Sequence, residues 1–167
     1  MITECTPADF ETIRAQLGRI PRGVVGVAAR SKTGEPLVVA TAPRLEDGTP
    51  FPTTFYLTHP DYVTECSRLE AAGVMAQMSE QLAADEDMQA AYRKAHAAYL
   101  TARRQIGIDA GIGEVPEIDD FSAGGMPTRI KCLHALVGHA LAAGPGVNPV
   151  GDLALSMMDG VPPVAEV

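Results

Sequence analysis

The chain has 167 residues, of which 46% are hydrophobic and 20% charged, with 13 Lys or Arg against 21 Asp or Glu and a formal net charge of -8. A chain of that length buries roughly 70% of its unfolded surface and needs neither disulfide nor metal to fold, and its composition excludes a disordered polymer. The acidic balance, without a long basic run, argues against nucleic acid and against an anionic membrane surface as partners.

In chain order, Thr6 or Asp9 caps a helix predicted over about residues 7–17, with Pro7 in its first turn and Phe10, Ile13 and Leu17 on one stripe. Gly18 and Pro21 end it. Two valine-rich runs, 24–29 and 37–41, flank the turn Lys32-Thr33-Gly34 and predict a hairpin. A third run, 53–58, alternates Phe55 and Leu57 with Thr54, Tyr56 and Thr58. Together they predict a three-stranded antiparallel meander with one buried face. Three strands alone are marginal, so helices must cover that face.

His59-Pro60-Asp61 leads into a helix over about 61–72 with Tyr62, Cys66 and Leu69 inward and Gly73 at its end. A second follows over 74–84, with Met75, Met78 and Leu82 inward. A third, over about 87–106, carries the stripe Met88, Ala91, Tyr92, Ala95, Tyr99, Ala102 and Ile106, and turns Arg93, Lys94, Arg103 and Arg104 outward. The segment 107–120 has no periodicity and is a predicted loop. A helix is then predicted from Pro127 to Gly144, buried along Ile130, Leu133, Leu136, Val137, Ala140 and Leu141. Asn148-Pro149 and Gly151-Asp152 predict a tight turn, followed by a short helix over 153–158 and a frayed tail after Gly160. The fold class is α+β: a small antiparallel meander, with the N-terminal helix in about 7–59, packed against a helical C-terminal half in about 61–158. One domain spans the chain.

Cys5, Cys66 and Cys132 are an odd number at wide spacings, which is no disulfide framework and suits a reducing compartment. The start, MITECTPADFETIR, lacks the basic-then-apolar order of a signal peptide, and no apolar run reaches the ~20 residues of a membrane span. The expected location is the cytoplasm.

The blocks FPTTFYLTHP, SRLEAAG, AYRKAHAAYL and GGMPTRIKCLHALVGHALAAGPGVNPVGD resemble a bacterial, mainly actinobacterial, family catalogued as domain of unknown function 501. The resemblance runs from about Ile13 to Leu155. It implies no activity, substrate or catalytic residue. It does imply a gene neighbourhood containing a septum-formation protein and an exopolyphosphatase-like protein, which is context rather than mechanism.

Chemistry concentrates between Ser122 and Asp152, which holds one cysteine, two histidines and two glycine clusters. The first candidate is a metal site of Cys132 and His134 with His59 and His139, since thiolate and imidazole suit zinc or another transition metal. On a regular helix Cys132 and His134 point about 200° apart. They can share an ion only if the helix begins near Leu133 and Cys132 lies in the turn before it. Cys132 and His139 share a face but stand ~10.5 Å apart along the axis. The second candidate is a phosphate-like anion site, in which Gly124 and Gly125 open a helix N-terminus and Arg129 and Lys131 supply charge. The third is a Cys132 nucleophile with a histidine base, oriented by Asp152 or Glu65. The plain alternative to all three is a small buried cysteine beside hydrogen-bonded histidines. The preferred reading places an anion or metal between His59 and the start of the Pro127 helix. The rival is a non-catalytic module that docks a protein partner, linked to cell division, through the loop 144–152. No reaction class is favoured, and the spacing is silent on oligomeric state.

Overall fold

The computed structural model describes residues 1–166. Its elements are α1 (Pro7–Leu17), β1 (Val24–Arg30), β2 (Pro36–Thr41), β3 (Phe55–Leu57), α2 (Pro60–Ala71), α3 (Val74–Ala84), α4 (Glu86–Asp109), α5 (Leu133–Ala143) and α6 (Pro149–Ser156), with a 3-10 turn at Pro116–Ile118. The sheet is antiparallel in the order β1-β2-β3, and the architecture is α+β with most of the helix in the C-terminal half. Among the described residues no helix is long and apolar enough to cross a membrane.

Local chemistry sets the N-terminal part. Thr6 and Asp9 form a reciprocal capping box, Asp9 N–H donating to the Thr6 hydroxyl at 3.1 Å and Thr6 N–H to the Asp9 carboxylate at 2.8 Å. Asp9 also accepts from Arg30 at 2.6 Å, which ties α1 to the end of β1 and holds its carboxyl well below the usual range. In the hairpin Val27 faces Val39, and Val38 to Ala40 then pair with Leu57 to Phe55.

The sheet differs from expectation in one respect. All six residues of β2 are buried, so both faces of the pleat are covered. Contact from α1 on one hand and α5 on the other explains this. The expected stripe on α5 is buried throughout, from Leu133 to Leu141.

Two glycines let helix α5 approach its neighbours. A Cβ on Gly138 would lie 3.0 Å from the Phe55 carbonyl oxygen, so its absence allows α5 to press on β3. A Cβ on Gly151 would press on the Leu136 carbonyl where α6 crosses α5. Gly151→Ala is therefore expected to destabilise the protein by about 1–3 kcal/mol through overpacking. Helix propensity alone predicts the opposite sign, so the urea midpoint separates the two causes.

Four predicted features are corrected. Arg103, expected to face solvent, is buried at 4% exposure. Charge and spacing disagree at this position, and four residues after Tyr99 the side chain points inward. Its guanidinium donates to the Thr54 hydroxyl at 3.0 Å and to the carbonyls of Ile118 at 2.9 Å and Ser122 at 3.1 Å, and also to those of Phe121 and Pro52. The last long helix starts at Leu133, six residues later than expected. Helix α6 starts at Pro149 because Asn148 accepts from Gly151 N–H at 2.9 Å, so Asn-Pro is a cap and first turn, not an isolated bend. The tail after Gly160 lies against β1 and α2, with Ala165 N–H donating to the Arg30 carbonyl at 2.9 Å and Tyr62 Oη to that of Pro162 at 2.8 Å.

Candidate functional site

The late start of α5 decides the geometry of the site. Gly124 and Gly125 have φ of +65° and +99°, and the loop folds back through Arg129 N–H to the Gly125 carbonyl and Lys131 N–H to the Gly124 carbonyl. A Cβ on Gly124 would stand 2.6 Å from Leu136 Cγ. These glycines are needed for a tight loop against α5. They do not open a helix N-terminus, which removes the dipole from the predicted anion site. Arg129 and Lys131 are exposed, and the Arg129 carbonyl accepts from Tyr92 Oη at 3.0 Å.

Cys132 is the residue before the helix, extended at φ −152° and ψ 110°. Its side chain leaves the backbone in a different direction from one in a helix. The 200° separation from His134 therefore does not apply, and the two side chains converge. Glu70, in the last turn of α2, completes the group: single donor atoms of Glu70, Cys132 and His134 all lie within 4.8 Å of one another. Glu70 Oε1 accepts Leu133 N–H at 2.8 Å and stands 3.2 Å from His134 Nδ1, while His134 Nε2 is 3.3 Å from Ser67 Oγ.

Glu70 carries a signal that sequence reasoning missed. A carboxylate in the last turn of a helix opposes the negative end of the macrodipole. Here the same carboxylate meets the positive start of α5, whose first residue gives it an N–H. The local penalty is offset by a tertiary contact, and a broken local rule of this kind marks a held residue.

The electrostatics are mutual. The hydrogen bond from His134, helped by the Ala135 amide, lowers the Cys132 thiol below its ordinary value, against burial and the Glu70 charge. The hydrogen bond with Cys132, followed by the Glu70 charge, raises His134, with burial working against both. The arrangement favours thiolate and imidazolium together. Nearby Cys66 behaves oppositely: burial pushes its thiol up to about 12, and it is a core residue as expected.

The remaining predicted ligands lie elsewhere. His59 is 8% exposed and caps α2, its Nδ1 accepting Asp61 N–H at 3.3 Å, and it does not join the group. His139 is 1% exposed, with Nδ1 3.1 Å from Asn148 Nδ2 and its ring stacked on Phe55 and edge-on to Tyr99. Asp152 accepts from Gly146 N–H, and Glu65 pairs with Arg68, so neither orients His134.

Cys132 and His134 open on a cleft of about 300 Å³ walled by Leu17 of α1, the segment Thr53 and Phe55 to Leu57 at β3, Val63 of α2 and Ala135 of α5. Its size is at the lower end for ligand sites, which are mostly apolar with a few convergent polar groups. The family described as "Protein of unknown function (DUF501)" matches residues 27–156. No curated protein and no solved structure matches.

Proposed function

The chain belongs to the DUF501 family of proteins of unknown function, and we propose that it binds a transition metal, zinc foremost, through Glu70, Cys132 and His134. The observation that carries this is the convergence of one thiol, one imidazole and one carboxylate within 4.8 Å, from the end of α2 and the start of α5. Zinc takes these three donor types at about 2.0–2.3 Å in tetrahedral geometry, so the side chains close on an ion by small rotamer changes. Soft thiolate with imidazole favours zinc, cobalt or iron over magnesium and calcium. Three protein ligands beside a cleft are the pattern of sites that keep a coordination position for a small molecule. Bound metal supplies a Lewis acid there.

Zinc competition against a chromophoric chelator, together with cobalt(II) absorption, tests the reading. Cobalt should give a tetrahedral spectrum with thiolate charge transfer. Cys132→Ser, His134→Ala and Glu70→Gln should each weaken zinc by more than the roughly 10- to 100-fold that loss of an outer-shell partner costs. Affinities unchanged by all three variants would refute the assignment.

One observation favours a second reading, in which metal-free Cys132 is a nucleophile. The thiol sits at a helix start, with the Ala135 amide and His134 both favouring thiolate. Iodoacetamide should then label Cys132 faster than Cys66 at pH 7. Protection by one equivalent of zinc would show that both readings describe one site.

A further inference from the structure

The walls of the cleft indicate what the site holds. Resting on the metal reading, we propose that the cleft receives a small molecule with an uncharged apolar body and a single anionic oxygen head, of the class of aliphatic carboxylic acids and their derivatives. The residues lining it include no Lys, Arg, Asp or Glu. A second charge on the ligand would thus lose its hydration without finding a partner. That disfavours phosphate esters and polyanions, since the one guanidinium beside the lining, that of Arg19, is already bonded to Tyr56 Oη at 3.3 Å, and Arg129 and Lys131 are exposed and not part of the lining.

The lining is mostly apolar, and the start of α5 contributes its thiol and imidazole. Cys132 and His134 of the donor group form part of the wall; Leu17, Phe55, Leu57 and Val63 line it with hydrocarbon, and Thr53 and Tyr56 also border it. A ligand whose head meets the donor group therefore lays its tail along hydrocarbon. A volume of about 300 Å³ suits a short chain or one ring rather than a nucleotide or a peptide. The chain ends of β3 and α5 fix both walls, because α5 lies directly on β3 at Gly138.

The probes are acetohydroxamate and hexanohydroxamate, which share a metal-binding head and differ by four methylenes. Each methylene that leaves water strengthens binding about three- to fourfold. Titrated into zinc-loaded protein by calorimetry, hexanohydroxamate should bind at least tenfold more tightly. Val63→Phe, which fills the cleft, should abolish this preference while zinc affinity by chelator competition stays unchanged. Ala135→Leu provides an independent filling variant if Val63→Phe does not fold. Zinc uptake with equal affinity for the two hydroxamates, or with binding of neither, overturns the cleft assignment and leaves the metal site standing. Absence of zinc uptake removes both.

Discussion

Arg103→Met should cost about 3–5 kcal/mol of folding stability, the range for removing one partner from a buried charged network. The guanidinium has five N–H donors, and each has an acceptor: the Thr54 hydroxyl and the carbonyls of Pro52, Ile118, Phe121 and Ser122. It also lies 5.2 Å from the centre of the Tyr99 ring, in cation–π contact. Methionine refills most of the volume but leaves the buried Thr54 hydroxyl and Ser122 carbonyl without this donor, while the Pro52 and Ile118 carbonyls keep Tyr99 Oη and Phe121 N–H. Small domains have only about 5–15 kcal/mol in total, so the variant should be marginal at room temperature. Arg103→Lys keeps a charge but offers three donors from one point, and it should recover less than half of the loss. Urea denaturation of the three proteins measures this. A Met variant within 1 kcal/mol of the parent would mean that water reaches these carbonyls and that the guanidinium does not hold the loops together.

The consequence extends to the site. Arg103 binds the approach to β3 at Pro52 and Thr54, and Thr53 lies between them on the wall of the cleft. Releasing this segment loosens one side of the cleft while leaving Glu70, Cys132 and His134 in place at the junction of α2 and α5. Metal affinity and ligand affinity should thus separate in Arg103→Lys, with zinc retained and the tail preference reduced.

Arg103 also shows where the sequence was legible and where it was misread. Elements whose ends carry their own chemistry were readable: Thr6 and Asp9 start α1, Gly73 separates α2 from α3, and apolar spacing marked the buried face of α5. Arg103 is expected outward with Arg93, Lys94 and Arg104, yet it falls four residues after Tyr99, one turn along the inner face of α4. Its residue type hides this, because an arginine beside other cations looks solvated. A buried cation needs acceptors distant in sequence, here 15 to 51 residues away, and no local pattern reveals them.

The candidate site was legible in half. Cys132 and His134 stood out by residue type, and the condition under which they could meet, a helix beginning near Leu133, is met. What the sequence could not supply was Glu70, more than sixty residues upstream, because the pairing of α2 with α5 is tertiary. His59 and His139 stood out for the same reason as His134. Each instead satisfies its Nδ1 locally or in the core, on the Asp61 amide and the Asn148 side chain.

His139 should make the protein acid-sensitive in a window above that of ordinary carboxylates. Burial pushes its folded pKa down from 6.5 to about 4, so the ring is neutral in the folded protein. Between these values the unfolded chain binds a proton that the folded chain does not, and stability falls as pH falls. The contribution is complete above pH 6.5, declines by about 1.4 kcal/mol per pH unit below it, and is lost by pH 4, a total of about 3 kcal/mol. His134 acts in the opposite direction, since its folded pKa is raised and its contribution is lost as pH rises. The ring of His96, lowered by burial first, acts in the same direction as that of His139. The variant comparison isolates the effect. His139→Gln offers Asn148 an amide oxygen in place of the ring nitrogen and does not titrate. It should be less stable than the parent at pH 7.5, yet lose about 2 kcal/mol less between pH 7.5 and pH 5, as read from urea midpoints. Parallel pH curves for parent and variant would show that His139 is not held neutral. His139 also stacks on Phe55, which lines the cleft, so the titrating ring lies one residue behind that wall.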